Sequence, residues 1–487
     1  MGRFSTGTGR SQVVVAAGRV SGGPSFRAAK VLVAGAGIGG LAAALSLQDA
    51  GFDDVVVVEA VPELRPLGAG VNLLPNAVRE LAALGLYHEV TRRAVRTSEI
   101  RYHNQHGDLI MAEPRGRADG YDWPQLSIRR GELQQVLLDA VRTRLGERAL
   151  VSDCRVTGVS SRSGAGVDVL HGGQPIRLTA DLLVGADGIH SAVRRSLLGG
   201  DGEPVWNGQV VWRGMTWAPP LNPANSMIIM GDGVRKAVVY AVTPPRGDGY
   251  TLLNWAVSRH FTTAEVDRSD WNRPVPAGRF AHEFVGWRTG GHLLTDLFQA
   301  ASGCFEYPMI DRDPLPTWSR GRATLLGDAA HAMHPMGSNA TTQAVIDARA
   351  LAYFVALEPD VERALTAYER HRRPVATQVQ IANRAMGPEA VIDLVACRAP
   401  EGFAAVDDVL PTAELHAICN EYAELAAFDR GSVNTRSPYD TRRARLVGAG
   451  ECSPSGGSAS PAPPHPDDSL PARRITAELV TAAREAT

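Results

Sequence analysis

The chain has 487 residues, 44% hydrophobic and 21% charged, with a formal net charge of −2, enough apolar material for about three domains or two large ones. The near-neutral balance excludes a charge-driven nucleic-acid partner or attachment to an acidic membrane, and no apolar run approaches the ~20 residues of a membrane helix. Cys154, Cys304, Cys397, Cys419 and Cys452 form no CxxC or metal-like cluster, so they read as reduced thiols of a cytoplasmic protein, and no metal is expected.

Residues 1–27 are rich in Gly, Ser and Arg and carry no acid. They read as a flexible extension, with a transit-like segment as the alternative. Gln12 to Ala17 is a short strand-like run within them. The stretch KVLVAGAGIGGLAAALSLQDAGFDDVVVVE, Lys30 to Glu59, reads as strand, glycine turn, helix and strand. Gly35, Gly37 and Gly40 are spaced GxGxxG, with Gly39 inside the turn. The spacing serves a tight turn, close approach of a pyrophosphate, and helix–strand packing. Gly51 suits the end of the helix. Glu59 stands about 20 residues past the glycines, where a carboxylate accepts a ribose hydroxyl. This reads as a dinucleotide site that disfavours a 2′-phosphate but does not separate NAD from FAD.

Pro75 and Gly85 bracket a helix. Gly68 and Gly70 before it suggest backbone running against a flat group, or an ordinary loop. Glu99–Ala112 and Val167–Leu178 read as hairpins. Ile128–Arg144 reads as a strand followed by a helix, with Arg129 and Arg130 at the junction. Residues 181–194 read as a buried strand, a turn at Ala186-Asp187-Gly188 and a helix from about Ser191, which Asp187 is placed to cap. Residues 203–260 alternate as an antiparallel sheet. Trp212, Met215, Met227, Ile229, Tyr240 and Trp255 are either its core or the wall of a pocket for an aromatic ligand. His282–Ala300 reads as helical. Arg322–Leu326 reads as a strand, followed by a loop with Pro335 and Gly337 and a helix through Ala350. Further helices follow, interrupted at Pro374, and Glu401–Phe428 reads as one more. From about Ser432 the composition turns to Ser, Pro and Gly, which reads as a mostly disordered tail with a short helix from about Ile475.

GAGIGG with Glu59, the ADG turn at 186–188 and GDAAHAMHP at 327–335 together resemble the FAD-dependent aromatic monooxygenases, the class of para-hydroxybenzoate hydroxylase and salicylate hydroxylase. The resemblance spans roughly residues 30–430. SIRRGELQQVLL, WNGQVVWRG, LLNWAV and PMGSNATTQA look most like the branch containing the phenazine-pathway 5-methylphenazine-1-carboxylate monooxygenase. The resemblance implies an α/β fold: a Rossmann-like, GR2-type FAD-binding domain (28–202 and 303–385), an inserted, mainly antiparallel β-sheet substrate domain (203–302), and C-terminal helices (386–431) before the tail at 432–487. It implies FAD as cofactor, NADPH or NADH as transient reductant, and O2. One oxygen atom would enter an aromatic or polycyclic small molecule through a flavin hydroperoxide, in secondary metabolism or aromatic catabolism. The protein would be a monomer or homodimer with no nucleic-acid or membrane partner.

By the same resemblance, FAD contacts fall to Gly35, Gly37, Gly39, Gly40, Glu59, Gly70, Arg130, Asp187, Gly188, Gly327 and Asp328, and to the loop Pro335, Gly337, Ser338, Asn339 and Ala340. Asp328 would hold ribityl hydroxyls. The loop amides and the helix end behind them would stabilise negative charge on the reduced flavin. The family often has glycine where Ala340 stands, and proline where Ala332 stands. His334 is the candidate acid–base residue, with a structural histidine as the alternative, and His331 reads as structural. Trp212, Arg213, Met227, Tyr240 and Trp255 are the candidate substrate contacts. Two further readings are a halogenase, for which the expected WxWxIP motif is missing, and a FAD-dependent dehydrogenase or non-catalytic flavin-binding protein.

Overall fold

The computed structural model describes residues 30–65, 68–160, 165–200, 202–261, 273–442 and 444. The expected N-terminal extension, the Gln12 run and the helix from Ile475 lie outside the described residues. Val31–Ala34 pairs in parallel with Val55–Val58 and with Leu182–Gly185, the inner strands of a five-stranded sheet completed by Leu150–Val151 and Ala323–Leu325. These strands are short runs of buried β-branched and Leu residues, as a sheet covered on both faces requires. The helices Ile38–Asp49, Arg130–Leu145 and Ala340–Leu357 cover it. Two segments distant in sequence, around residues 31 and 323, thus enter one sheet and bring their carboxyl ends to the same edge.

The second large sheet has eight strands. Val205–Ala218, Ser226–Gly231, Arg235–Ala241 and Thr251–His260 form its antiparallel centre. The sheet reaches beyond the boundaries 203–302: Ser226–Gly231 pairs in parallel with Glu99–Asn104, which brings in the hairpin to Leu109–Pro114, and Cys304–Asp311 pairs with the other side. An unpaired edge of Ser226–Gly231 would leave its backbone groups without partners, and the hairpin supplies them. A smaller three-stranded sheet joins Gly70–Leu73, Gln125–Arg129 and Val95–Thr97, so Gly70 and Arg130 stand side by side.

Several expectations are corrected. His282–Ala300 is not one helix. It is a 3-10 turn, a small hairpin and a short helix, Leu294–Gln299, because Gly286, Gly290 and Gly291 take left-handed φ values. Pro374 does not interrupt; it sits inside the helix Val361–Arg384, whose buried face of Leu365, Tyr368, Ala376 and Val379 outweighs one lost backbone bond. Glu401–Phe428 is a 3-10 turn at Val406–Asp408 and an α-helix only over Thr412–Leu425, after Pro411. Residues just past Ser432 are packed rather than loose. Thr441 Oγ1 donates to Asp49 (2.5 Å), Ser437 Oγ to Glu80 (2.8 Å), and the Tyr439 carbonyl accepts from Arg349 (2.9 Å). These polar partners and the buried Tyr439 and Ala444 hold the segment against the body.

Candidate active site

The glycine turn is dictated by close contacts. A side chain at Gly35 (φ +103°) would place its Cβ 2.4 Å from the Ala186 carbonyl oxygen, and one at Gly40 would lie 1.9 Å from that of Gly35. At Gly39 it would lie 2.8 Å from Leu326. Gly37 differs: a Cβ there would meet nothing within 4 Å. Gly37 opens the Ile38–Asp49 helix, and no side chain caps that end. Its first amides and its positive dipole end therefore face open space beside Gly37, a fit for a pyrophosphate. Glu59 accepts from the amides of Ala36 (2.8 Å) and Val61 (3.0 Å), which fixes its carboxylate beside the turn. Asp187 accepts from the Ser191 hydroxyl (2.5 Å) and from the amides of Ala192 (2.8 Å) and Val193 (3.2 Å). It is a helix cap, in a site whose burial pushes its carboxyl up despite those hydrogen bonds. Gly188 (φ +78°) follows it, with open space around its Cα.

A cavity of about 290 Å³ lies between the eight-stranded sheet and the edge of the small three-stranded sheet. One wall is the eight-stranded sheet, with Arg213, Met227, Lys236, Val238, Tyr240 and Asn254. The other is made by Ala69 to Asn72, Arg130, Asp328 and the loop from Pro335 to Thr341. Asn254 Oδ1 accepts from the Gly70 amide (2.7 Å) and ties the walls together. A side chain at Gly70 would collide with Tyr240 and Val242. Asp328 is exposed to this space and makes no hydrogen bond among the described residues. Behind it, Asp347 accepts from the Gly327 amide (3.1 Å), meets His331 Nε2 (2.5 Å) and accepts from Arg372 Nε (2.9 Å). Burial alone would raise the Asp347 carboxyl, but His331 and Arg372 hold it below the usual range. His331 is thus a structural member of a buried network.

The loop turns on two consecutive left-handed residues, Gly337 (φ +63°) and Ser338 (φ +58°). Ala340 is already helical, so a glycine there is not needed. The Ala340–Leu357 helix has no side-chain cap, and its first residues Ala340 and Thr341 line the cavity. Arg213 Nε is buried without a hydrogen-bond partner, and the guanidinium lies 5.8 Å from the centre of the Tyr307 ring. Burial pushes the Tyr240 hydroxyl up to about 12, with Arg213 opposing.

Of the five candidate substrate contacts, Arg213, Met227 and Tyr240 line the cavity, whereas Trp212 and Trp255 do not. Side chains alternate along a strand, so Trp212 points away from the face that Val211 and Arg213 share. It stacks on Phe280 with ring centres 5.1 Å apart, and its Nε1 donates to Glu306 (2.8 Å). Trp255 packs 4.7 Å from Phe298 and donates to Thr216 (3.1 Å) in the same core. His334 is also absent from the cavity lining. It lies behind the cavity wall, both imidazole nitrogens lack a hydrogen-bond partner, and burial lowers its pKa although Asp311 is 3.7 Å away. Sequence reasoning missed Asn254, Asn72 and the Lys236–Glu389 ion pair, all on the cavity wall. Lys236 and Asn254 were findable by parity: Lys236 is four residues before Tyr240, and Asn254 is two before Ala256 on the inward face. Glu389 carries no local signal.

A parallel sheet with an uncapped glycine turn, beside a cavity walled by a second large sheet, defines the class of dinucleotide-binding proteins. The chain belongs to the FAD binding domain family, which it matches over residues 28–263 and 306–382. It is 39% identical over 361 residues to phenazine 1,6-dicarboxylic acid hydroxylase PhzS of Lysobacter antibioticus, covering 73% of this chain and 89% of that protein. It is 31% identical over 424 residues to 3-amino-4-hydroxybenzoate 2-monooxygenase PtnB3 of Streptomyces platensis, covering 84% and 98%. Klebsiella pneumoniae HpxO complexed with FAD and uric acid shares the fold, with a TM-score of 0.65 at 23% identity over 83% of this chain and 96% of that one. The protein is an FAD-dependent aromatic monooxygenase that uses NAD(P)H and O2. No described helix is long and apolar enough to cross a membrane.

Proposed function

We propose that this monooxygenase oxygenates a flat aromatic carboxylic acid bound in the cavity between the sheets, with Arg213 holding the carboxylate. The observation that carries this reading is Arg213 itself: its Nε is buried and unpartnered, whereas Lys236 on the same wall is already paired with Glu389. A buried guanidinium edge left unpaired is costly, and a planar carboxylate satisfies it in a bidentate fork. Both relatives named above act, by their names, on aromatic acids, which supports the same class.

In this reading the turn of Gly35, Gly37, Gly39 and Gly40, with the uncapped amides behind it, holds the FAD pyrophosphate, and Glu59 a ribose. Asp328 and Gly327 receive the ribityl chain, while Gly70 and Arg130 lie along the ring. Pro335 to Ala340 face the pyrimidine edge, where the Ala340 helix end favours negative charge. Asp187 shapes the turn at Gly188 rather than touching ligand. Bound FAD, reduced by NAD(P)H, supplies the activated oxygen. The residues of this chain supply position and shielding: Arg213 fixes the acid end, Met227 and Val238 exclude water from the ring, and Asn254 locks the two walls at a fixed separation. No acid–base residue is assigned to His334.

The test is NAD(P)H-dependent oxygen uptake across benzoic, quinoline and phenazine carboxylic acids, each paired with its carboxamide. Uptake and an oxygenated product with acids, and none with amides, is expected. Equal turnover of both would remove Arg213 from the role given to it.

A further inference from the structure

We propose that Tyr422, on the Thr412–Leu425 helix, is a positioning residue that sets how strongly the loop from Pro335 to Ala340 stabilises negative charge on reduced flavin. The proposal rests on the placement of that loop against the pyrimidine edge given above. Two adjacent left-handed residues, one of them a serine, are not a conformation that a free loop holds. Asn72 Nδ2 donates to Ser338 Oγ (3.3 Å), and the rest of the grip comes from later in the chain.

Tyr422 is buried, and its hydroxyl is fully used. It accepts from Asn339 Nδ2 (2.9 Å) and donates its one proton to Asn383 Oδ1 (2.7 Å), with the Met336 carbonyl at 3.3 Å. Its ring fills the space beside Gly337, where an added Cβ would lie 2.4 Å away. Asn383 Nδ2 in turn donates to the His334 carbonyl (2.8 Å). Glu389, paired with Lys236, accepts from the Gly337 amide (3.3 Å). The loop is therefore held at residues 334, 337 and 339 by Asn383, Glu389 and Tyr422. All three lie beyond residues 28–263 and 306–382, the stretch shared with the family. Burial pushes the Tyr422 phenol well above its usual range, so it remains a neutral donor at any working pH.

Preorganised amides stabilise a developing charge because they need not reorient when it appears. Loosening the hydroxyl clamp lets Asn339 and the loop amides relax and weakens that stabilisation. The experiment is the flavin midpoint potential of Tyr422→Phe, which removes one oxygen and keeps the ring. We expect unchanged FAD content and unchanged substrate KM, with a potential lowered by up to about 30 mV, a tenfold loss of stabilisation for a two-electron couple. Asn383→Ala, which removes the acceptor of the same hydroxyl and also releases the His334 carbonyl, should lower the potential too, and the double variant should fall short of the sum of the two shifts. A wild-type potential in Tyr422→Phe at normal FAD content overturns the proposal. Should Tyr422→Phe not hold FAD, Asn383→Ala carries the same expectation and the same refutation. Asn339→Ala separates the two levels of the argument. If it shifts the potential and Tyr422→Phe does not, only the clamp fails; if neither does, the loop does not face the flavin and the site placement fails with it.

Discussion

Replacing Asp328 with alanine isolates one proposed cofactor contact from everything else in the fold. The side chain is exposed to the cavity and bonded to nothing among the described residues, so its removal leaves no buried group unpaired. Stability of the FAD-free protein should stay within about 0.5 kcal/mol of wild type. The loss should appear only in cofactor affinity. A hydrogen bond from a hydroxyl to a carboxylate contributes about 1.5–3 kcal/mol, so the FAD dissociation constant should rise roughly 10- to 150-fold. The assay is fluorescence titration of FAD into stripped protein, beside thermal melts with and without FAD. Asp328→Asn, which keeps a weaker acceptor, should fall between the two. An unchanged dissociation constant would refute the reasoning. A melting temperature that drops equally with and without FAD would show that Asp328 serves the fold instead.

Other outcomes follow from the same geometry. Trp212→Phe should lower stability by about 1–3 kcal/mol, because it removes the bond to Glu306 and leaves a void beside Phe280, yet leave substrate KM where it was; a raised KM would return Trp212 to the cavity. Arg213→Met should raise KM for an aromatic acid about ten- to hundredfold at unchanged FAD content, the signature of a lost charge-assisted bond. His334 is held neutral by burial, with a pKa below its ordinary value of 6.5. The unfolded chain therefore takes up a proton that the native state refuses as pH falls below about 6.5, and stability declines from there down through the lowered native value. His334→Gln should flatten that part of the melting-temperature profile, and an unaltered profile would assign the decline to other groups.

Part of the glycine turn was legible because its constraint is local. The contact at Gly40 is made to Gly35 within one strand–turn–helix unit, so the spacing alone reports it, whereas Gly35 itself meets Ala186 from a distant strand. The Asp187 turn was legible in the same way, although its capping role and a ligand role look alike in sequence. The cavity was only half legible. Trp212 and Arg213 are neighbours on one strand and cannot share a face, and applying the period of two strictly would have sent the tryptophans to the core. Pro374 was misread because local propensity was weighed without the tertiary contacts of Tyr368 and Val379. Tyr422 and Glu389 were out of reach altogether. Their meaning depends on contacts with a loop some fifty to ninety residues earlier, which no periodicity encodes.

Lysine occurs at two positions in the whole sequence, Lys30 and Lys236. The first opens the parallel sheet near its surface, and the second lies in the cavity wall with a side chain 12% exposed and paired to Glu389. Lysine-selective acylation of the protein therefore has only one target that touches the reaction chamber. The extent of labelling at Lys236, read against Lys30 in the same peptide digest, becomes a direct gauge of whether the chamber is filled, independent of turnover and of the identity of the ligand.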